Sequence, residues 1–355
     1  MPSMVRPLSI AKAVLNASRW LSVLLVGLCC RAQQDQTPVY TLKVYTDLVQ
    51  VPTLVLDHDR QSLPRINFQR LRVSLDSGKE FAPSHVRMEG DDPLSLAILI
   101  DVGGKERHEL VTGLADAMAE MAKKELHPED RVSIYLVSCN LLRTAYEVQP
   151  FPALLRSSIG EGLQSPKLGK SSAGVSCGTK VYLWAAMTSV IKDMEHASGR
   201  RAMLVISNGR DDGSVVSWPK LHEYAGFEGV ALFGLGETTP AWNAWQSDHT
   251  DAFRSLCEST GGILMKGEKR DVQKRLQQWI ELLRGRYVVE FPQPRALSNG
   301  QHDIAISVKN DGMAFTSVAG VSMTLPDPKI TADPNYVPSD EGMDIPIGKR
   351  RPMPH

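Results

Sequence analysis

Cysteine is scarce in this 355-residue chain, with five in all, and neither the cysteines nor the nine histidines fall in the paired spacings of a zinc site. Charge of one sign is also lacking. Lys+Arg and Asp+Glu both number 40, so no basic field points to nucleic acid and no acidic block points to a solvating tail. Beyond the N-terminal segment no stretch approaches the roughly 18 consecutive apolar residues of a membrane span, so the mature chain is expected not to cross a bilayer. Signatures of catalysis are missing as well. There is no Gly-x-Ser-x-Gly elbow, no His-Glu-x-x-His, no phosphate-binding Walker loop and no Gly-x-Gly-x-x-Gly. No internal repeat is present, and Arg200-Arg201 precede an apolar strand rather than form a basic patch.

What the chain does have begins with a targeting segment. Arg6, Lys12 and Arg19 precede the apolar run Trp20 to Cys30, which is too short for a helix to span a bilayer of about 30 Å. Cleavage after Ala32 would put Cys30 and Ala32 at the two small-residue positions that signal peptidase reads. Residues 1–32 are therefore expected to be a secretory signal. A lipid anchor on Cys29 or Cys30, whose preceding residues fit a lipobox poorly, and an uncleaved anchor are the less favoured readings. The favoured destination is the periplasm or the exterior.

Between residues 41 and 91 the alternation in Tyr40 to Thr53, and again from Leu71 to Leu75, predicts strands. From Leu94 the texture changes. Leu94 to Ile100 is nearly all apolar, as in a central strand covered on both faces. A helical stripe follows (Leu110, Leu114, Ala117, Met118, Met121), then a strand at Arg131 to Cys139 and an antiparallel edge strand at Leu141 to Val148. Residues 160–177, rich in Gly, Ser and Lys, predict a loop. Thr179 to His196, Asp251 to Thr260 and Asp271 to Arg284 predict helices. Met203 to Ser207, Val230 to Leu235 and Ile263 to Met265 predict strands. The alternation over residues 92–285 implies a doubly wound, mostly parallel α/β sheet. Strand candidates at Tyr287 to Phe291, Asp303 to Val308 and Phe315 to Leu325 are too few for a domain of their own. They are expected to join residues 41–91 in a small flanking β-module spanning 286–325 on the C-terminal side. The segment 326–355, rich in Pro, Asp and Lys, is expected to be disordered.

Ligands of open parallel sheets bind beyond the carboxyl ends of the strands. Three loops converge there: Asp101-Val102-Gly103-Gly104-Lys105, Ser176-Cys177-Gly178-Thr179, and Ser207-Asn208-Gly209-Arg210-Asp211-Asp212. Their order and spacing resemble the metal-ion-dependent adhesion site of von Willebrand factor A (vWA) domains. Gly178-Thr179-Lys180-Val181-Tyr182 resembles that family's Gly-Thr-x-Leu-Tyr loop. Ser207-Asn208-Gly209-Arg210-Asp211 resembles Ser-Asp-Gly-x-Asp, and Ser259-Thr260-Gly261-Gly262 resembles a Thr-Gly-Gly before the last strand. The strand-rich lead-in and Tyr287 also resemble a subgroup of secreted bacterial proteins, frequent in acidobacteria, called VWFA-related.

The resemblance implies that Asp101, Gly103, Lys105, Thr179, Asn208 and Asp211 occupy the positions of a degenerate site. Asp101 and Thr179 match its ligands. Gly103 and Lys105 stand in place of two Ser ligands, and Asn208 in place of an Asp. Mg²⁺ needs a near-octahedral set of oxygens, and a Lys ammonium about 4 Å from it would be repelled by about 4 kcal/mol at an effective dielectric near 20. The expectation is that no cofactor binds. If Mg²⁺ does bind, Asp101, Thr179 and Asp211 or Asp212 would hold it. Lys105 is expected to take the ion's place beside Asp101, and the triple reversion Gly103→Ser, Lys105→Ser, Asn208→Asp to restore binding unless the loop geometry has diverged. Structural readings stand beside these: Asp101 ordering its own loop, Thr179 as a helix N-cap, and Asn208-Gly209 as a plain turn.

Other candidates carry less. Trp218, Trp242 and Trp245 fall near the same end of the sheet and would suit a protein-binding face or simple packing. His249 with Asp248 or Asp251 reads as a solvated loop. Cys139 and Cys177 fall near the site and can pair in an oxidising compartment, whereas three buried thiols (with Cys257) is the slightly favoured expectation. The whole predicts an exported binding or scaffolding protein whose protein partner offers an acidic residue, with Lys105 meeting it. A structural envelope component and, last, a hydrolase-type enzyme with a site between the modules are the alternatives. No nucleic acid is expected, and the oligomeric state stays open.

Overall fold

The computed structural model describes residues 48–57, 66–90, 92–103, 108–170, 174, 176–237, 247–292, 300–309, 314–318 and 321–323. Residues 1–32, expected to be a secretory signal, Gly104, Lys105, Trp242, Trp245 and residues 326–355 lie outside them, as do the side chains of Asp248, His249 and Asp251.

A six-stranded sheet forms the centre. Its strands are β4 (Leu94–Asp101), β5 (Arg131–Val137), β6 (Leu141–Val148), β7 (Arg200–Ile206), β8 (Ala231–Glu237) and β9 (Leu264–Gly267), in the spatial order β6-β5-β4-β7-β8-β9. All neighbours are parallel except β6, which runs antiparallel to β5. Every residue of β4 is buried because helices cover both faces. Leu96, Ile98 and Ile100 point into one core with α2 (Leu114–Glu125), α3 (Pro152–Leu163) and α7 (Val272–Arg284). Ala97 and Leu99 point the other way, onto α4 (Leu183–Asp193), α5 (Trp218–Glu228) and α6 (Ser247–Glu258). A short α1 (His108–Val111) precedes α2, and Gly113, at φ +82°, breaks the chain between them.

The chain segments on either side of this unit pair with each other. β1 (Leu48–Leu56) lies between β10 (Tyr287–Pro292) and β13 (Phe315–Val318), and β3 (His85–Met88) extends the sheet beyond β10. β2 (Leu71–Leu75) pairs with β12 (Ile304–Val308), and β11 (Gly300–His302) with β14 (Val321–Met323). Val51, Leu71, Val73, Tyr287, Val289 and Phe291 belong to the core of this β-module. β1 also binds the two units together, because Leu54 and Leu56 turn into the core of the central sheet. Between the units, Arg286 donates to Glu89 at 2.7 Å with both side chains almost fully buried. The Ser317 hydroxyl reaches the carbonyls of Glu258 and Gly262 at 2.6 and 2.7 Å.

Three expectations are corrected. The helices α3 and α5 were not anticipated, and α3 ends inside the stretch expected to be a loop. The fourth helix starts at Leu183, not Thr179. The single strand expected from Phe315 is two, β13 and β14. Among the described residues no helix is long and apolar enough to cross a membrane.

Candidate functional site at the carboxyl end of the sheet

In the order β6-β5-β4-β7-β8-β9 the winding direction reverses between β4 and β7, and a ligand crevice is expected outside the carboxyl ends of those two strands. Asp101 ends β4 there and Ser207 follows β7. The Ser207 hydroxyl donates to Asp101 Oδ2 at 2.6 Å, and the Gly103 N–H donates to Asp101 Oδ1 at 3.1 Å. Asp101 is 1% exposed. The carboxylate therefore ties its own loop to the end of the neighbouring strand, and both of its oxygens accept bonds from the chain itself.

Gly103 has neither a hydroxyl nor room for a side chain. A Cβ built on it would fall 2.2 Å from Val181 Cγ2, 3.5 Å from the Lys180 carbonyl and 3.6 Å from Asp101 Oδ1. Val181 is fully buried and belongs to the core beneath the site. The first loop has thus closed on the second through the space a side chain at 103 would need.

The third loop is committed to the helix α4. Asp211 Oδ1 accepts from the Trp184 N–H at 3.0 Å and from the Ser214 hydroxyl at 2.5 Å, while its Oδ2 accepts from the backbone N–H groups of Gly213 and Ser214. The Ala185 N–H donates to Ser214 Oγ at 3.1 Å. Asp212 Oδ2 takes the Val181 N–H at 2.9 Å, its own N–H donates to the Val181 carbonyl at 2.7 Å, and its Oδ1 accepts from Arg210 Nε at 2.7 Å. Donors at the start of a helix have no partners within it, and here a loop distant in sequence supplies them. Thr179 is not the cap. It sits exposed in the turn before the helix, whose residue Tyr182 at the N-cap position makes no side-chain capping bond.

Asn208 is partly buried directly after Ser207, and Lys105 lies outside the described residues. Trp218 opens α5 and is 39% exposed, and Val215 just before it is 97% exposed. Cys139 and Cys177 form a disulfide, with Cα atoms 5.9 Å apart, so the expectation of three free thiols is corrected. Among the described residues Cys257 is the free cysteine, and burial pushes its thiol well above the usual range. Such a thiol is inert rather than nucleophilic.

These residues do not fit a divalent ion. The Asp101 carboxylate is hydrogen-bonded through both oxygens, position 103 offers no side-chain oxygen and no room for one, and Asp211 and Asp212 are held by backbone N–H groups. Among the described residues no group of three or more His, Cys, Asp or Glu side chains could hold a metal.

A first strand in mid-sheet, an antiparallel edge strand at one end, and helices on both faces define the architecture. The fold is vWA-like. No protein-family model matches the chain, and no curated protein matches it. Among solved structures it is similar to a von Willebrand factor type A protein from Catenulispora acidiphila (8% identity over 81% of this chain and 63% of that one, TM-score 0.42). It is also similar to proximal thread matrix protein 1 from the mussel byssus (9% identity, 55% of this chain, TM-score 0.41), of which it covers 49%. BatB from Bacteroides thetaiotaomicron is 12% identical over 54% of this chain and 98% of its own, with a TM-score of 0.40.

Proposed function

We propose that this chain is an exported, non-enzymatic binding protein of the VWFA-related type, which meets a protein partner at the carboxyl end of its vWA-like sheet without a metal ion. The observation that carries this is the Asp101 carboxylate, occupied by Ser207 and Gly103 at 2.6 and 3.1 Å. The three loops are held by hydrogen bonds and packing where the family's site would use Mg²⁺. In the segment that follows the third loop, Val215 and Trp218 present exposed apolar surface, of the kind found where protein surfaces meet. The Cys139–Cys177 disulfide fits an oxidising compartment, in keeping with the N-terminal targeting segment.

Calorimetric titration of Mg²⁺ and Mn²⁺ into purified residues 33–355 tests the reading. No heat and no thermal shift are expected. Saturable binding that disappears in Asp101→Ala would overturn it. Partner capture in excess EDTA is the companion measurement: it is expected to survive the chelator and to be lost in the double variant Val215→Asp/Trp218→Ala.

A further inference from the structure

Helix α5 joins the candidate binding face to the β-module. Trp218 at its start belongs to the face, and the helix packs on α4, α6 and β14. Its two ends are held differently. Toward the C-terminus the Tyr224 hydroxyl donates to Glu195 Oε1 at 2.6 Å, and Arg201 donates to the Glu228 carbonyl and stands 3.8 Å from the Glu228 carboxylate. At the N-terminus Ser217 makes no side-chain capping bond, so the first N–H groups of the helix lack that acceptor. The start of the helix therefore rests on the packing of Leu221, which is fully buried, and of the His222 ring.

His222 stands one turn after Trp218. The two ring centroids are 6.5 Å apart with their planes tilted by 42°, and His222 Nδ1 is buried with no hydrogen-bond partner among the described residues. Burial holds the imidazole below its usual range, and two negative charges pull the other way: Glu223 on its own helix and Asp303 from the β-module. The other elements packed on α5 add none. β14 carries no ionisable residue, Glu195 after α4 is taken by Tyr224, and Arg254 and Glu258 of α6 are not among the charges that act on His222. Asp303 is fixed through its backbone. Its N–H donates to Asp76 Oδ1 at 3.0 Å and its carbonyl accepts the Asp76 N–H at 2.8 Å, while Asp76 Oδ2 meets Nδ1 of the buried His302 at 2.7 Å. Its side chain, like that of Glu223, is exposed.

A neutral imidazole tolerates this place, because only one nitrogen lacks a partner there. An imidazolium carries N–H on both nitrogens, and a buried charge without a partner is strongly disfavoured. The two carboxylates that can receive it are exposed, so reaching them means leaving the buried position beside Trp218. We propose that His222 is a pH-operated latch for the binding face: neutral, it packs against Trp218 and holds the start of α5 in place; protonated, it turns out toward Asp303 and Glu223 and lets Trp218 go. The inference rests on the reading of this face as a binding surface, and it adds that a partner held at neutral pH is released in mild acid. The transition falls below about pH 6.5, the ordinary histidine value.

The test follows Trp218 in the full-length mature chain from about pH 7.5 to about pH 5, a window that brackets the ordinary histidine value. Its emission and its access to acrylamide are taken as the difference between wild type and Trp218→Phe, and amide hydrogen exchange is read over residues 217–222. Greater acrylamide access and faster exchange are expected on acidification, with far-ultraviolet circular dichroism unchanged. The transition should vanish in His222→Gln. It should move to lower pH in Asp303→Asn, which changes an exposed side chain and so guards against a folding defect in the first variant. A transition that persists in His222→Gln belongs to another group, such as His302, and overturns the proposal. Dimmer emission without greater access or exchange means that the imidazolium stays against the indole, which overturns it too. So does a loss of circular dichroism with the same midpoint, which is global unfolding. Partner capture is expected to be lost at the acid end in wild type and kept in His222→Gln, and capture indifferent to pH overturns the release. Absence of any capture at neutral pH sinks the reading of the face instead, while Trp218 still reports on the latch.

Discussion

The contact between position 103 and Val181 sets how this site would respond to an attempt at restoring a metal. In Gly103→Ser the new Cβ falls 2.2 Å from Val181 Cγ2, against the 3.5–4.0 Å of an ordinary carbon contact. Val181 cannot turn aside freely, because it is branched at Cβ and fully buried. The substitution therefore forces a backbone shift, at a cost of about 1–3 kcal/mol typical of overpacking. Val181→Ala alone removes two buried methyl groups and costs about 1.6 kcal/mol from transfer, with a cavity contribution added. Each change relieves the other, so the double variant is expected to be more stable than the sum of the two losses implies, by about 1–2 kcal/mol. Urea unfolding of the wild type, both single variants and the double variant measures this directly. Additivity within about 0.5 kcal/mol would refute the claim that the loop has closed into the space of the missing side chain. The same geometry implies that the triple reversion Gly103→Ser, Lys105→Ser, Asn208→Asp gains no Mg²⁺ affinity until Val181→Ala is added.

Three further outcomes follow from the contacts around this site and between the two units. Asp211→Ala leaves the Trp184 N–H and Ser214 without their acceptor and should cost about 1–2 kcal/mol in chemical denaturation, in the manner of a lost N-cap. Asp211→Asn should retain part of it. Arg286→Met strands the buried Glu89, whose remaining cation Arg200 stands 3.6 Å away. A loss of about 3–5 kcal/mol is expected, and Glu89→Met/Arg286→Met should recover most of it. Burial holds the His222 imidazole below its usual range, against the opposing pull of Glu223 and Asp303. The unfolded chain then binds the proton more tightly. Stability is expected to be undiminished above about pH 6.5, the ordinary histidine value, and to fall as pH drops through it toward the folded value. His222→Gln should flatten that part of the pH profile of unfolding, and an unchanged profile would show that another group carries it.

The parts of the fold that were legible are those where one segment carries its own signal. Leu94–Asp101 is apolar on both faces because two helix layers cover it, and α7 shows its stripe without help from neighbours. The helix α3 was hidden because its buried face mixes Leu155 and Ile159 with the small residues Ser158 and Gly162. A Cβ at Gly162 would meet Leu136 at 2.5 Å, so close packing on the sheet interrupts the stripe of large apolar residues that betrays a helix. The helix α5 keeps only Leu221, Ala225 and Gly226 inside, though Pro219 at its start and Gly229 in the left-handed conformation at its end are boundary signals. At the site, the positions of Asp101 and Ser207 could be read from strand ends. The role of Asp211 and Asp212 could not, because the N–H groups they satisfy belong to a segment 27 to 31 residues earlier. Sequence reasoning took them for spare carboxylates, whereas the geometry makes them caps.

A divalent ion and a set of internal bonds are two solutions to one mechanical problem, that of holding three loops from distant parts of a chain at the end of a sheet. An ion does so with a few strong contacts that depend on its concentration. Here the first loop is tied to the third strand end by Asp101 and Ser207, the second to the third by Val181 and Asp212, and the second to β5 by Cys139 and Cys177. Only the last of these ties is switchable. With a sequence separation of 38, the loop-closure entropy it removes from the unfolded chain is worth about 4 kcal/mol in the chain-entropy model. Reduction, or Cys139→Ser/Cys177→Ser, should therefore lower the stability of the folded chain by up to about that amount, whereas EDTA should leave it where it was. Thermal unfolding in the four combinations of reductant and chelator separates the two. A stability that followed the chelator and ignored the reductant would mean that a metal, not the clip, holds these loops together.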